Sequence, residues 1–318
     1  MEFINPVQEH LQDVEDRMRS RFNGSASGLI SILDQLICLG GKRLRPTVTL
    51  LMGKMLGADL DHLLDLAAAI EMLHTATLIH DDLVDDATLR RGEKTINATL
   101  PPVASVLAGD LVFAIAANLA AATKSVRVME IFAETLATMV NGEITNLFDN
   151  KPGNDREMYF QWIYAKTASM FELATGAAAI LSKADVEAIS TARQFGREIG
   201  MAFQIVDDVL DFTGSPADIG KPVGNDLRQG VFTLPTLHYL ETHPEDPDLR
   251  SVINRNGHDE ESLNRLIAAI NASDAVNQSM HEAERFVQSG LETLAVFPDI
   301  LERQALEELT RFILSRTK

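Results

Sequence analysis

Cysteine, tryptophan and tyrosine are nearly missing from these 318 residues, at one, one and three copies. A single thiol, Cys38, can form neither an intrachain disulfide nor a thiolate zinc site, so nothing points to an oxidising compartment. With few aromatics and no sustained alternation of apolar and polar residues, strand signals are nearly absent. Basic residues are outnumbered, 28 Lys and Arg against 46 Asp and Glu, giving a formal charge of −18. Nucleic acids and anionic membrane surfaces attract clustered cations, so the balance argues against both as partners. The longest stretch without Asp, Glu, Lys or Arg, Thr95 to Gly109, is broken by Pro101-Pro102, and no integral membrane segment is expected. Met1-Glu2-Phe3-Ile4-Asn5 has no signal-peptide pattern, so a cytoplasmic protein is expected.

Helical patterning fills the space these absences leave. Apolar residues recur at helical spacing from Leu63 to Asp86, with Asp59 and Asp61 available as caps. Further helices are expected over 103–123, 126–148, 155–181, 183–212, 233–239, 259–272, 275–294 and 300–316. No repeat or low-complexity linker divides the chain. The expectation is one all-α domain over 1–318, built as a large multi-helix bundle.

Charge is unevenly placed. Residues 35–58 carry Lys42, Arg43, Arg45 and Lys54 and no acid, while 59–86 carry eight acids and no Lys or Arg. The acids end in Asp81-Asp82-Leu83-Val84-Asp85. Asp81 and Asp85 lie one turn apart on the face that also carries Ile70, His74 and Thr77, so an apolar stripe turns acidic toward its end. Alone, such a cluster fits a solvated face. It recurs, however, as Asp207-Asp208-Val209-Leu210-Asp211, with Gln204 one turn earlier on another apolar helix. Hard oxygen donors without thiolate favour magnesium, and magnesium brings phosphate. The spacing does not fit a calcium EF-hand.

Cations accompany the clusters. Gly40-Gly41-Lys42-Arg43-Leu44-Arg45-Pro46 is not a nucleotide P-loop, because Leu36 stands where the upstream Gly is needed and no Ser or Thr follows Lys42. Alone it also fits a helix C-terminus with glycine caps. Arg90-Arg91-Gly92 follows the first acidic cluster directly. Together these groups imply a substrate of condensed negative charge, held by metal on one side and by Lys and Arg on the other. No Ser-His-Asp set, cysteine nucleophile or nucleotide fingerprint competes for the chemistry.

GGKRLRP (40–46), HTATLIHDDLVDDATLRRG (74–92), KTA (166–168), GMAFQIVDDVLDF (200–212) and GKPVGNDL (220–227) resemble, in order, the motifs of the trans-type prenyl diphosphate synthases, or polyprenyl synthetases. The resemblance implies the all-α isoprenoid-synthase fold around a central apolar cavity, and usually a homodimer. It implies that Asp81, Asp82, Asp85, Asp207, Asp208 and Asp211 hold an allylic diphosphate through three magnesium ions. Arg90, Lys166, Gln204 and Lys221 would contact that diphosphate, with Thr167 close by. Isopentenyl diphosphate would sit on Lys42, Arg45, His74 and Arg91. Two positions depart from the family pattern: Val231 replaces a lysine found in many members, and Asn146 stands where the Gly-Glu-x-x-Gln pattern has Gln.

In this family, the residues four and five before the first aspartate often floor the product tunnel. Here they are the small Thr77 and Ala76, which leaves the tunnel open toward Leu73, with Phe132 or another bulky residue stopping it deeper. The expected product is a long all-trans chain of about thirty to fifty carbons, limited by the apolar cavity. A twenty-carbon geranylgeranyl diphosphate is the alternative. A terpene cyclase or a non-catalytic partner subunit is disfavoured because all six aspartates are present. Ala76→Phe should shorten the product on a chromatogram; unchanged length would overturn the tunnel reading.

Overall fold

The computed structural model describes residues 1–22, 41–90, 93–149, 156–214, 222–253 and 260–316. It is all-α, as expected. A 3₁₀ turn (Glu2–Val7) leads into α1 (Gln8–Ser20), followed by α2 (Leu44–Met55) and α3 (Leu60–Val84). A two-stranded antiparallel hairpin, β1 (Leu89–Arg90) with β2 (Glu93–Lys94), precedes the short α4 (Ile96–Thr99), α5 (Pro102–Ala122) and α6 (Val126–Asp149). Next come α7 (Arg156–Ile163), a π-helical turn (Tyr164–Ala168), α8 (Ser169–Leu181), α9 (Val186–Thr213) and α10 (Asn225–Arg228). The chain continues through α11 (Leu234–Thr242), α12 (Pro247–Ile253), α13 (Glu260–Ala272), α14 (Ala275–Leu294) and α15 (Leu301–Ser315).

The chain folds into two compact units. One comprises 1–134, 170–196 and 293–308, the other 135–169, 197–292 and 309–318.

In the first unit, α3 starts where its cap was expected, with the Asp59 carboxylate accepting from the backbone N–H groups of Asp61 and His62 at 3.1 and 3.2 Å. Asp86, in the left-handed region at φ 50°, ends it. The pairing of α3 with α5 is extensive among the described residues. Small residues permit it: Ala68 and Ala69 on α3, and Ala108, Gly109, Ala116 and Ala120 on α5, are buried. Both helices are long and apolar enough to cross a membrane by length and composition, with 72% of the most apolar window of α3 buried and 44% of that of α5.

The basic segment runs into a helix, α2, which places its cations at the positive end of the helix dipole. Arg43, at φ 49°, is compensated by Glu71 at 2.7 Å and Glu15 at 3.2 Å. α8 and α9 approach closely at Gly196. A Cβ on Gly196 would fall inside contact of the Thr175 hydroxyl and the Phe171 carbonyl, and 2.8 Å from Glu172 Cα. Backbone cannot yield as a side-chain tip can, so Gly196→Ala should destabilise by about 1–3 kcal/mol, read as a lowered Tm.

Candidate active site

The first aspartate cluster closes α3. Asp81 is half-buried, Asp82 is buried and Asp85 is exposed. Two aspartates side by side at the C-terminal end of a helix oppose both each other and the dipole. The hairpin supplies an answer: β1 carries Arg90 back so that its Nε donates to Asp82 Oδ1 at 2.8 Å. The Ala87 N–H, donating to the Asp82 carbonyl at 2.9 Å, fixes the turn between them.

Farther back on α3, Leu73 and Ala76 are fully buried, while His74 and Thr77 are partly exposed. Phe132, on α6, is buried. Of the basic segment, Lys42 is exposed and Arg45 half-buried, its guanidinium 4.9 Å from the centre of the Phe171 ring. The Arg43 ion pairs give this segment its structural anchor and leave Lys42 and Arg45 flanking it. Gly40, Arg91, Gly92 and Lys221, also named from sequence, lie outside the described residues, as does Cys38.

The second cluster, in the other unit, closes α9. Asp208 is 1% exposed, and both of its oxygens accept hydrogen bonds: Oδ2 from the Tyr159 hydroxyl at 2.7 Å, Oδ1 from Gln204 Nε2 at 2.8 Å. Gln204 Oε1 in turn accepts from the Thr167 hydroxyl at 2.6 Å. Burial and the neighbouring Asp226 push the Asp208 carboxyl well above the usual carboxylate range, although the bonds from Tyr159 and Gln204 pull it down. Burial, then the Asp208 charge, raises the Tyr159 phenol, which stays a donor.

Asp211 is held by backbone. Its Oδ1 and Oδ2 accept from the N–H groups of Asn225 and Asp226 at 3.1 and 3.2 Å. The approach requires Gly224, at φ 67°, where a Cβ would collide with Ile267. Asp207 pairs with Arg316, just past α15, at 2.6 Å, and that guanidinium lies 4.2 Å over the Phe203 ring. Arg316 Nε and Nη1 are buried without a hydrogen-bond partner.

Lys166 sits in the π-helical turn, 5.0 Å above the Trp162 ring and 3.7 Å from Glu143, an ion pair too long for a hydrogen bond. Asn146 and Val231, the two departures, both line one cavity of about 190 Å³ with Tyr159, Trp162 and Phe232. Its lining among the described residues carries no charge.

Sequence reasoning missed Tyr159 and Arg316. Each meets its aspartate across a separation at which no spacing rule applies. Taken separately, each cluster's donors fit a hard divalent cation. Asp81, Asp85, Asp207 and Asp211 offer carboxylate oxygens on residues that are not fully buried, and Asp207 already pairs with a cationic side chain.

Comparison with known proteins bears on both clusters. The family model described as Polyprenyl synthetase matches residues 27–270. Octaprenyl diphosphate synthase of Escherichia coli (strain K12) is 34% identical over 281 residues, covering 88% of this chain and 87% of that protein. The geranyl-diphosphate-specific all-trans-nonaprenyl-diphosphate synthase of Rhodobacter capsulatus is 35% identical, covering 99% and 97%. A crystal structure of polyprenyl synthase from Caulobacter crescentus CB15, complexed with calcium and isoprenyl diphosphate, superposes with a TM-score of 0.93 at 33% identity, covering 99% and 97%. With a matching family model, relatives of this coverage and the same fold, the chain belongs to the polyprenyl synthetase family and is a prenyltransferase.

Proposed function

We propose that this chain is a long-chain all-trans polyprenyl diphosphate synthase, which joins isopentenyl diphosphate to an allylic diphosphate and repeats the step. The observation that carries this is the pair of aspartate clusters. Each ends an apolar helix and is steadied by donors of its own unit, in a family of divalent-metal enzymes acting on those two diphosphates.

All six aspartates serve three magnesium ions. Asp81, Asp85, Asp207 and Asp211 present their oxygens, while Asp82 and Asp208, the most buried of each cluster, act from positions fixed by Arg90 and by Tyr159 and Gln204. Bound magnesium supplies the charge that stabilises the departing diphosphate. Arg90, Lys166, Gln204 and Lys221 hold the same group, with Thr167 fixing the Gln204 amide. Lys42, Arg45, His74 and Arg91 hold isopentenyl diphosphate.

The allylic carbon–oxygen bond breaks with its electron pair leaving on the diphosphate. The isopentenyl double bond attacks the resulting cation, and a proton departs to the released diphosphate. The protein contributes position, electrostatics and exclusion of water rather than a nucleophile.

The names of the octaprenyl and nonaprenyl relatives support a product of about thirty to fifty carbons, with the growing chain accommodated in an apolar cavity. Leu73, Ala76, Thr77 and Phe132 set its limit. The working unit is a homodimer in the cytoplasm. Supporting the dimer, α6 exposes Val140, Ile144, Leu147 and Phe148 at helical spacing, and α5 exposes Val103, Val106 and Leu107.

Purified protein given magnesium, isopentenyl diphosphate and an allylic primer should yield linear diphosphates in that range. A twenty-carbon end product would reassign it to geranylgeranyl synthesis, and cyclic hydrocarbons or no turnover would overturn the proposal. Asp81→Ala and Asp207→Ala should each lower kcat by about a hundredfold or more; near-normal rates would remove their metal role. In sedimentation, Leu147→Glu should shift a dimer toward monomer. A wild-type chain that sediments as a monomer would contradict the assembly.

A further inference from the structure

Lys166 lies at the centre of a π-helical turn, Tyr164–Ala168, set within an otherwise α-helical run from Arg156 to Leu181. A π turn holds an extra residue and shifts the direction of every side chain that follows, so its register must be fixed by something outside its own backbone. Past the turn, Arg193 Nε on α9 donates to Glu172 at 2.9 Å, and two further hydrogen bonds to α9 flank Lys166. Before the turn, the Tyr159 hydroxyl donates to Asp208; within it, the Thr167 hydroxyl donates to Gln204. Gln204 and Asp208, one helical turn apart on α9, are themselves joined by Nε2 donating to Oδ1. The result is a closed loop, Tyr159–Asp208–Gln204–Thr167, spanning the approach to the turn and most of the turn itself.

Three of the loop's four residues are buried: Tyr159, Asp208 and Thr167 are 4%, 1% and 5% exposed, while Gln204 is half-buried. Among the described residues, the hydrogen-bond partners of the Asp208 carboxylate are a phenol and an amide, not a cation. A buried carboxylate with neutral partners is an expensive way to pack a helix when an apolar residue would fill the space. A phenylalanine at 159 would fill nearly the same volume without the bond. What the hydroxyl adds is a fixed relation between α9 and the turn that carries Lys166.

We propose that Tyr159 is a positioning residue for Lys166, acting through Asp208 and Gln204 to hold the π-helical turn in the register that directs the ammonium. This rests on the reading above that Lys166 binds the allylic diphosphate. Asp208 then has a second duty, as the post on which the clamp closes.

The test is a double-mutant cycle on the full-length enzyme with magnesium. Tyr159→Phe, Lys166→Ala and the double variant are compared in inorganic diphosphate binding by calorimetry, in KM for each substrate, and in Tm. Tyr159→Phe should weaken diphosphate binding and raise the allylic KM by about five- to tenfold, leaving the isopentenyl KM within about twofold. In the Lys166→Ala background the same change should have no further effect, because there is no ammonium left to direct. Additive losses, or a lowered Tm with unchanged binding, would overturn the clamp while leaving the Lys166 assignment standing. A Lys166→Ala protein that binds diphosphate normally would instead remove the assignment on which the clamp rests. Should Tyr159→Phe fail to fold, Thr167→Val opens the other end of the loop and must show the same non-additivity with Lys166.

Discussion

Carboxylates brought together at the ends of apolar helices repel one another and lose water, and most of what surrounds both clusters answers that cost. An ionised side chain removed from solvent costs several kcal/mol unless donors or opposite charge replace its hydration. Asp82 receives Arg90 from a hairpin, Asp207 receives Arg316 from the end of α15, and Asp211 receives two backbone amides at the start of α10. Asp208 receives, among the described residues, the neutral donors of Tyr159 and Gln204. The peripheral elements near these acids, including a two-residue-per-strand hairpin and a four-residue helix, are intelligible as supports for charge rather than as parts of the core.

The same constraint separates two kinds of cation. Arg43 is structural, sunk between Glu15 and Glu71 at the entrance to a helix whose dipole disfavours it. Lys42 and Arg45 flank it, and the strain at Arg43 is the means by which that segment keeps its shape. In the second unit, Lys166 pairs with Glu143 across 3.7 Å and lies over the Trp162 ring.

Much of this was legible in the sequence because it is local. The period of 3.6 and the Asp59 cap located α3, and the helices from α5 through α9 and from α13 through α15 fall close to their expected bounds. Both aspartate clusters were visible as spacing alone. α2 was not, because ten of its twelve residues are buried and a helix apolar on all sides shows no stripe. The hairpin was missed because strands of two residues have no period. Tyr159 and Arg316 were missed for a different reason: their partners are chosen by packing, and a lone tyrosine in one helix says nothing about an aspartate in another. The uncharged cavity lined by Asn146 and Val231 shows the converse, since two separate departures in sequence are neighbours in space.

The discontinuity of the two units has a consequence for synthesis and for genetics. The first unit takes its last segment from 293–308 and the second from 309–318, so each draws on chain made after residue 292. On the ribosome, neither can finish its packing until most of the other has been made, and no single cut in the gene releases either one whole. Fragments of this protein are therefore poor starting points for expression or recombination, whereas substitutions on exposed helical faces leave both sets of segments intact.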